Sequence, residues 1–540
     1  MDYPHEQFTT SERALLEPHF TNLDRPVFCV VDLPEVVKGA LFARYSRYPG
    51  TLRRLYLDEF VEDGEGHPAT NPPAQAEGVS AGGPYSTGSE RAERLYERVF
   101  LEFGDDSVAQ LGGAHLACEW ASNVLTKILQ RGRLAAYLEQ STRYIAYDQR
   151  LEDGRYRYYR DARLGERYEQ SMERIFDLYS AGLEHLQRWG AEQFPRGDEP
   201  EAVWARSIKA KALDAMRGLL PAASLSHVGI FASGQAYEQL VMRLLASPLP
   251  EARVFGEMAL EELREVIPAF VRRVDMPDRG GAWIEYLRGL RERASAAVAR
   301  YGLSDEQVVD QGPSVRLLHH EGGEDDLIAA CLYESCELSE DELRAAAGGL
   351  DGDERASLIA ELVGDRANRR HKPGRGWEAL RYRFEIVSDY GAFRDLQRHR
   401  LLSCEWQRLG CELGADVPEE VTDAGYGDAY RKGLEVSRAE FERLRGEGLT
   451  EEATYTVSLA YRVRYLLDLN AREAMHLIEL RSGREGHPSY RAVALEMLDQ
   501  IVEVHPSVGA AMTFVDRETE PRLERLQGEL RRHRRLQGLV

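Results

Sequence analysis

The pattern that opens this chain occurs twice. Residues Pro26 to Val31 (PVFCVV) read as a buried strand running into a helix-like stretch from Pro34 through Arg44. Ser314 to His319 (SVRLLH) again reads as a strand, followed by a helix over Asp325 to Leu332. Further landmarks recur in the same order. Phe42-Ala43-Arg44-Tyr45-Ser46 is answered by Cys331-Leu332-Tyr333-Glu334-Ser335, and Gln130-Arg131-Gly132-Arg133, in a helical context, by Gln397-Arg398-His399-Arg400. An amphipathic helix carrying Arg243, with Glu251 beyond it, is answered by one carrying Arg481, and each precedes a long helix ending near a proline, Pro268 or Pro506. An internal repeat constrains the fold more than any single element does, because each copy must close its own core. The identities are weak, so the duplication rests on order and spacing, and it predicts tandem lobes at 1–305 and 306–540. A chain of 540 residues is also too long for one ordinary core.

Helical periodicity dominates the rest of the first half, over Arg91 to Phe103, Ala117 to Leu129, Gly165 to Trp189, Ala202 to Leu219, Gly234 to Leu245, Glu251 to Val274 and Trp283 to Tyr301. The expectation is an α+β fold, helix-rich with a small sheet in each lobe. Residues 64–90 are rich in Gly, Pro, Ala and Ser and read as a flexible surface insertion within the first lobe, not a domain boundary.

Composition excludes several classes of function. A net charge of -22 would repel a polyanion, so a nucleic-acid partner is not expected. No apolar run approaches the roughly 20 residues that cross a bilayer. Met1 to Phe20 lacks the basic-then-apolar order of a secretory signal, which predicts a cytoplasmic protein. The six cysteines are scattered without a CxxC pair, so reduced core thiols are expected; Cys404 and Cys411, about two helical turns apart, read as core packing. His319-His320 with Glu321, Glu324, Asp325 and Asp326 lacks helical ligand spacing and reads as capping of a strand and a helix, so no metal site is expected.

The chemistry concentrates after the first triplet. Arg131-Gly132-Arg133 is followed after seven residues by Ser141, inside Glu139-Gln140-Ser141-Thr142-Arg143-Tyr144. Guanidinium forks suit phosphate, and a carboxylate with a hydroxyl can fix a base or ribose. The alternative is a helix end with solvated arginines and a Ser cap. The segment resembles the signature of flavin-dependent thymidylate synthases: Arg-His-Arg, seven residues, Ser, with Glu two before the Ser and Arg-Tyr shortly after. Glu139, Ser141, Arg143 and Tyr144 stand where the signature has them, and Gly132 replaces its His. The second half has the opposite lesion. Arg398-His399-Arg400 is intact, but the Glu, Ser and Arg positions are Trp406, Arg408 and Gly410. The family's Arg four residues before a Pro is matched by Arg217 to Pro221, and its Asn-Ala-Arg helix start, with a later Arg, by Asn470-Ala471-Arg472 and Arg481. The family's flavin-contacting His aligns with Asp105 in the first half; His371 is the better candidate.

What the resemblance implies is two tandem lobes of the thymidylate-synthase-complementing type with a composite site. FAD would be held by Arg398, His399, Arg400, Asn470, Arg472 and His371. A pyrimidine nucleotide would be held by Glu139, Ser141, Arg143, Arg217 and Arg481, with Ser141 and Arg481 catalytic. The implied reaction is methylation of dUMP, or of a related pyrimidine, with methylenetetrahydrofolate and NADPH as co-substrates. Two copies of the chain would reproduce the family's four lobes as a homodimer. The alternative is a degenerate homologue that binds nucleotide or flavin in a regulatory or scaffolding role.

Overall fold

Four of the described strands run directly into helices, and a polar residue marks each of those junctions. The computed structural model describes residues 3–4, 6–33, 35–45, 48–61, 110, 112–303, 312–519 and 522–537. The insertion expected at 64–90, the helix expected over Arg91 to Phe103, and Asp105 lie outside the described residues.

There are two four-stranded antiparallel sheets. The first comprises β1 (Val27–Val30), β2 (Gly113–Ser122), β3 (Ala135–Glu139) and β4 (Leu225–Ser233) in the order β1-β2-β4-β3. The second comprises β5 (Ser314–Glu321), β6 (Arg381–Asp389), β7 (Ser403–Trp406) and β8 (Arg462–Asn470) in the order β5-β6-β8-β7. The repeated topology is the expected duplication, and with the many helices it makes the fold α+β. In the second sheet the buried positions alternate, as a period of two requires: Tyr382, Phe384 and Ile386 on β6 stand beside Leu469, Leu467 and Tyr465 on β8.

Each central strand hands its last residue to a helix as a cap. Ser122 accepts the Leu125 N–H ahead of the helix Asn123–Leu129, and Asp389 accepts the Ala392 N–H ahead of Tyr390–Leu396. Asn470 does the same for Glu473 ahead of Ala471–Arg481. Three expectations need correction here. The stretch Ala117 to Ser122 is strand rather than helix: it is buried throughout, and a short buried apolar run fits either period. Both Arg triplets lie in the turns after their helices, which end at Leu129 and Leu396. Cys404 likewise lies on β7, so no helix relates it to Cys411. Glu324, from the acidic group beside His319-His320, accepts from Ser507, and Asp326 accepts the Gly323 N–H at 2.7 Å to cap the helix Glu324–Leu332.

The chain divides into two compact units, and neither is one continuous stretch. The first takes Met1–Phe176, Ala222–Gln307 and Glu442–Thr456; the second takes Asp177–Pro221, Val308–Phe441 and Val457–Val540. Each half of the sequence therefore gives one segment to the unit built on the other half's sheet. No described helix is long and apolar enough to cross a membrane.

Candidate functional site

The helix Tyr390–Leu396 delivers Arg398, His399 and Arg400 into the second unit. His399 is buried there between two partners. Arg481 donates its Nε–H to His399 Nε2 at 3.0 Å, so that nitrogen must hold the lone pair and the ring proton sits on Nδ1. Nδ1 in turn donates to Glu473 Oε1 at 2.9 Å, and the other Glu473 oxygen faces His476 Nδ1 at 3.2 Å. Burial, with the Arg481 charge adding to it, pushes the His399 imidazole down to about 4, so the ring is neutral at pH 7. Burial works to raise the Glu473 carboxyl, but donation from His399 and His476 outweighs it and holds the group at about 2.

The ligand atoms of His399, Glu473 and His476 lie within 4.8 Å of one another, a spacing a metal ion could use. The Arg481 hydrogen bond argues against that use. A cation on Nδ1 would force the ring proton onto Nε2, facing the Arg481 donor. The cluster is instead a hydrogen-bonded chain that fixes Arg481, whose guanidinium also lies 5.5 Å from the Tyr490 ring centroid.

Arg217 reaches the same unit from the other half of the sequence. It follows the helix Glu201–Met216, and its Nη1 donates to Asp395 Oδ2 at 3.1 Å, while Asp395 Oδ1 stands 3.6 Å from Arg398. Arg217 is 3 % exposed, yet its Nε and Nη2 have no hydrogen-bond partner among the described residues. It lines a cavity of about 780 Å³ together with Asp389, Tyr430, His487 and Ser489. That volume suits a small ligand. The hydroxyl of Tyr430 is likewise buried without a partner among the described residues. Other cations of the cavity are engaged: Lys211 with Glu420 and Glu524, Arg522 with Glu419, and Arg491 with the carbonyls of Ser482, Asp516 and Glu518.

Asn470 is spent on its cap, and Arg472 donates to the Pro373 carbonyl at 2.8 Å. Arg400 is exposed and has no partner among the described residues, and His371 is exposed, its Nδ1 accepting the Ala367 N–H at 3.3 Å. Glu139, Ser141 and Arg143 belong to the first unit. There Glu139 is buried and accepts from Lys127 Nζ at 2.8 Å and Gln130 Nε2 at 2.9 Å, and Ser141 Oγ accepts the Arg143 N–H at 3.2 Å. Gly132 leaves no void. A Cβ there would stand 2.6 Å from the Tyr137 hydroxyl and 3.2 Å from Arg243 Nη2.

A flavin dinucleotide would need donors for its diphosphate. Arg398 and Arg400 fit that need, since both guanidinium groups reach solvent, whereas both ring nitrogens of His399 are engaged and the Asn470 oxygen is spent on its cap. Sequence reasoning missed Asp389, Asp395, Glu473 and His476. The Glu-x-x-His spacing three residues past the Asn470 cap was the one signal that could have found the last two.

Comparison with known proteins bears on this geometry. The profile of the family described as "Thymidylate synthase complementing protein" matches residues 70–269 and 316–507. The chain is 36 % identical over 534 residues to the UPF0159 protein of Chlamydia muridarum, covering 97 % of this chain and 98 % of that one. It is 32 % identical over 543 residues to the UPF0159 protein Ta1429 of Thermoplasma acidophilum, covering 93 % of this chain and 99 % of that one. Among solved structures it resembles the UMP/dUMP methylase PolB from Streptomyces cacaoi bound with 5-Br dUMP, at 20 % identity and a TM-score of 0.30, covering 38 % of this chain and 97 % of that one.

Proposed function

Because this chain belongs to the thymidylate synthase complementing family, we propose that it methylates a pyrimidine nucleotide, dUMP or a close relative, using FAD, NADPH and methylenetetrahydrofolate. One observation carries the reading. Arg217, buried with open donors, faces a ligand-sized cavity and shares Asp395 with Arg398 of the intact triplet. A guanidinium held this way is set to grip a phosphate, since the desolvation of its open N–H groups is relieved only when an acceptor arrives.

FAD, when bound, supplies the redox and one-carbon chemistry. The protein's part is to bind and to polarise. Arg398 and Arg400 would hold the cofactor's diphosphate, and Arg217 the nucleotide's phosphate. Arg481 would stabilise negative charge developing on the pyrimidine ring, the kind of term that is commonly the protein's largest. Its aim is set by neutral His399, whose tautomer Glu473 fixes. Ser141 and Arg143 remain the nucleotide-binding candidates of the first unit. Two copies of the chain would supply four lobes, a state that light scattering reads directly.

A second reading has its own observation. Glu139 is committed to Lys127 and Gln130, and Gly132 has no imidazole to offer, so the first unit favours a protein that binds nucleotide or flavin without turnover. The absorbance spectrum of the purified protein, the released cofactor and dUMP-dependent NADPH oxidation separate the two. Stoichiometric FAD with oxidation that Arg217→Ala abolishes supports the enzyme. A colourless protein that cannot be reconstituted with FAD refutes it.

A further inference from the structure

The two halves contain the same buried carboxyl–hydroxyl couple with its members exchanged. In the first unit the cap Ser122 donates its hydroxyl to Glu251 Oε2 at 2.6 Å and its N–H to Oε1 at 2.9 Å, and Glu251 follows Pro250 at the start of the helix Pro250–Val266. In the second unit the cap is the carboxylate, Asp389. The hydroxyl comes from Ser489, which follows Pro488 at the start of the helix Pro488–Val504 and donates to Asp389 Oδ2. The first couple is closed by a third donor, the Tyr455 hydroxyl at 2.8 Å. The second is not closed in this way. Asp389 lines the cavity with Arg217, yet the two form no ion pair.

Between them lies Gly391. A Cβ on that residue would stand 2.8 Å from Asp389 Oδ1, 3.1 Å from Arg217 Nη2 and 3.3 Å from Arg217 Nε. The carboxylate and the two open guanidinium nitrogens thus stand close about one point, with a gap but no ion pair between them, and both residues line the cavity.

We infer that this gap receives an oxygen of the phosphate of the bound nucleotide, and that Asp389 takes up a proton from solvent as the phosphate arrives. The inference rests on the reading that Arg217 holds that phosphate. With the gap empty, ionised Asp389 balances Arg217. A phosphate dianion brings like charge against the carboxylate, and protonation turns an opposing acceptor into a donor without any bond to the ligand being formed or broken. Burial already pushes the Asp389 carboxyl up to about 6 against the pull of Arg217, so the proton is easily added near neutrality. The other groups facing Asp389 do not replace this role. Asp416 is engaged by Arg462, and Asp395 by Arg217 and Arg398. Burial holds Tyr430 and Tyr465 protonated, and Ser388 accompanies Tyr465. His487 Nε2 faces the Asp214 carbonyl, and its Nδ1 accepts the Ser489 N–H.

The test is calorimetric titration of the full chain with dUMP, and separately with inorganic phosphate, in buffers of different ionisation enthalpy. At pH 7 binding should take up about one-half to one proton, and between pH 7 and 8, where the phosphate is already a dianion, affinity should fall by up to about tenfold. Asp389→Asn should remove the uptake and flatten the pH dependence. Gly391→Ala sets a Cβ 2.8 Å from Asp389 Oδ1 and should weaken both ligands at least about tenfold while also lowering the melting temperature, as crowding at a packed site does. Proton uptake that persists in Asp389→Asn, pH-independent binding by the wild type, or no binding of either probe overturns the inference. Turnover is not the readout. Proton-linked binding without methylation leaves this inference standing while the enzyme reading fails, and methylation without proton linkage does the reverse.

Discussion

Removing Lys127 tests whether Glu139 belongs to the fold or to a ligand site. The two side chains are each 1 % exposed, and Lys127 Nζ lies 2.8 Å from Glu139 Oε2. Lys127→Met takes a counter-charge from a carboxylate in the interior, and breaking such a buried pair costs about 3–5 kcal/mol. For a unit of a few hundred residues each kcal/mol moves the melting temperature by about 2–4 °C, so the first unit's transition should fall by at least about 6 °C. Neutralising both partners in Lys127→Met/Glu139→Gln removes the stranded charge and should restore most of that loss. The assay is differential scanning calorimetry of the two single variants and the double variant, because a chain with two compact units need not melt in one step. The reasoning is refuted if Lys127→Met melts with the wild type while Glu139→Gln alone lowers dUMP affinity tenfold. That result would make Glu139 a ligand group and its contact with Lys127 incidental.

Burial raises the Glu251 carboxyl to about 7 despite three hydrogen-bond donors. Its stabilising share is therefore complete below the ordinary carboxyl range and lost as pH rises through about 7, a difference of roughly 3 kcal/mol that Glu251→Gln should abolish in denaturant midpoints measured from pH 4.5 to 8. His399 has the opposite sign. Its imidazole is pushed down to about 4, so stability is complete above the ordinary imidazole range and drains away as pH falls from about 6.5 toward 4, and His399→Gln should flatten that limb of the profile. Restoring the missing imidazole with Gly132→His should lower the melting temperature, since Tyr137 and Arg243 fill its place, and adding Tyr137→Ala should recover part of the loss; equal melting of all three proteins would show that the triplet turn has room to spare.

The duplication was legible because strand, polar cap and helix recur in order, and order survives when identity fades. What stayed hidden has physical causes. The run from Ala117 to Ser122 is buried on both faces, so its apolar pattern carries no period to tell strand from helix. Nothing local marks Asp177–Pro221 as part of the second unit, because the contacts that hold it there are distant in sequence: Arg217 with Asp395, Lys211 with Glu420 and Glu524, Asp214 with Arg525. Matching residues by identity also conceals equivalences that chemistry reveals. Ser122 against Asp389, and Glu251 against Ser489, count as mismatches in an alignment, yet both pairs place one hydroxyl on one buried carboxyl at the same strand-to-helix junction. The triplets obey the same logic. In the second unit an imidazole accepts a hydrogen bond from Arg481; in the first, a phenol hydroxyl and Arg243 both border the position that Gly132 leaves bare. Gly132 therefore does not record simple decay. The space of the missing imidazole is occupied, so the first unit has been repacked around a different polar group, and whatever it binds must be read from that group and not from the residue it lost.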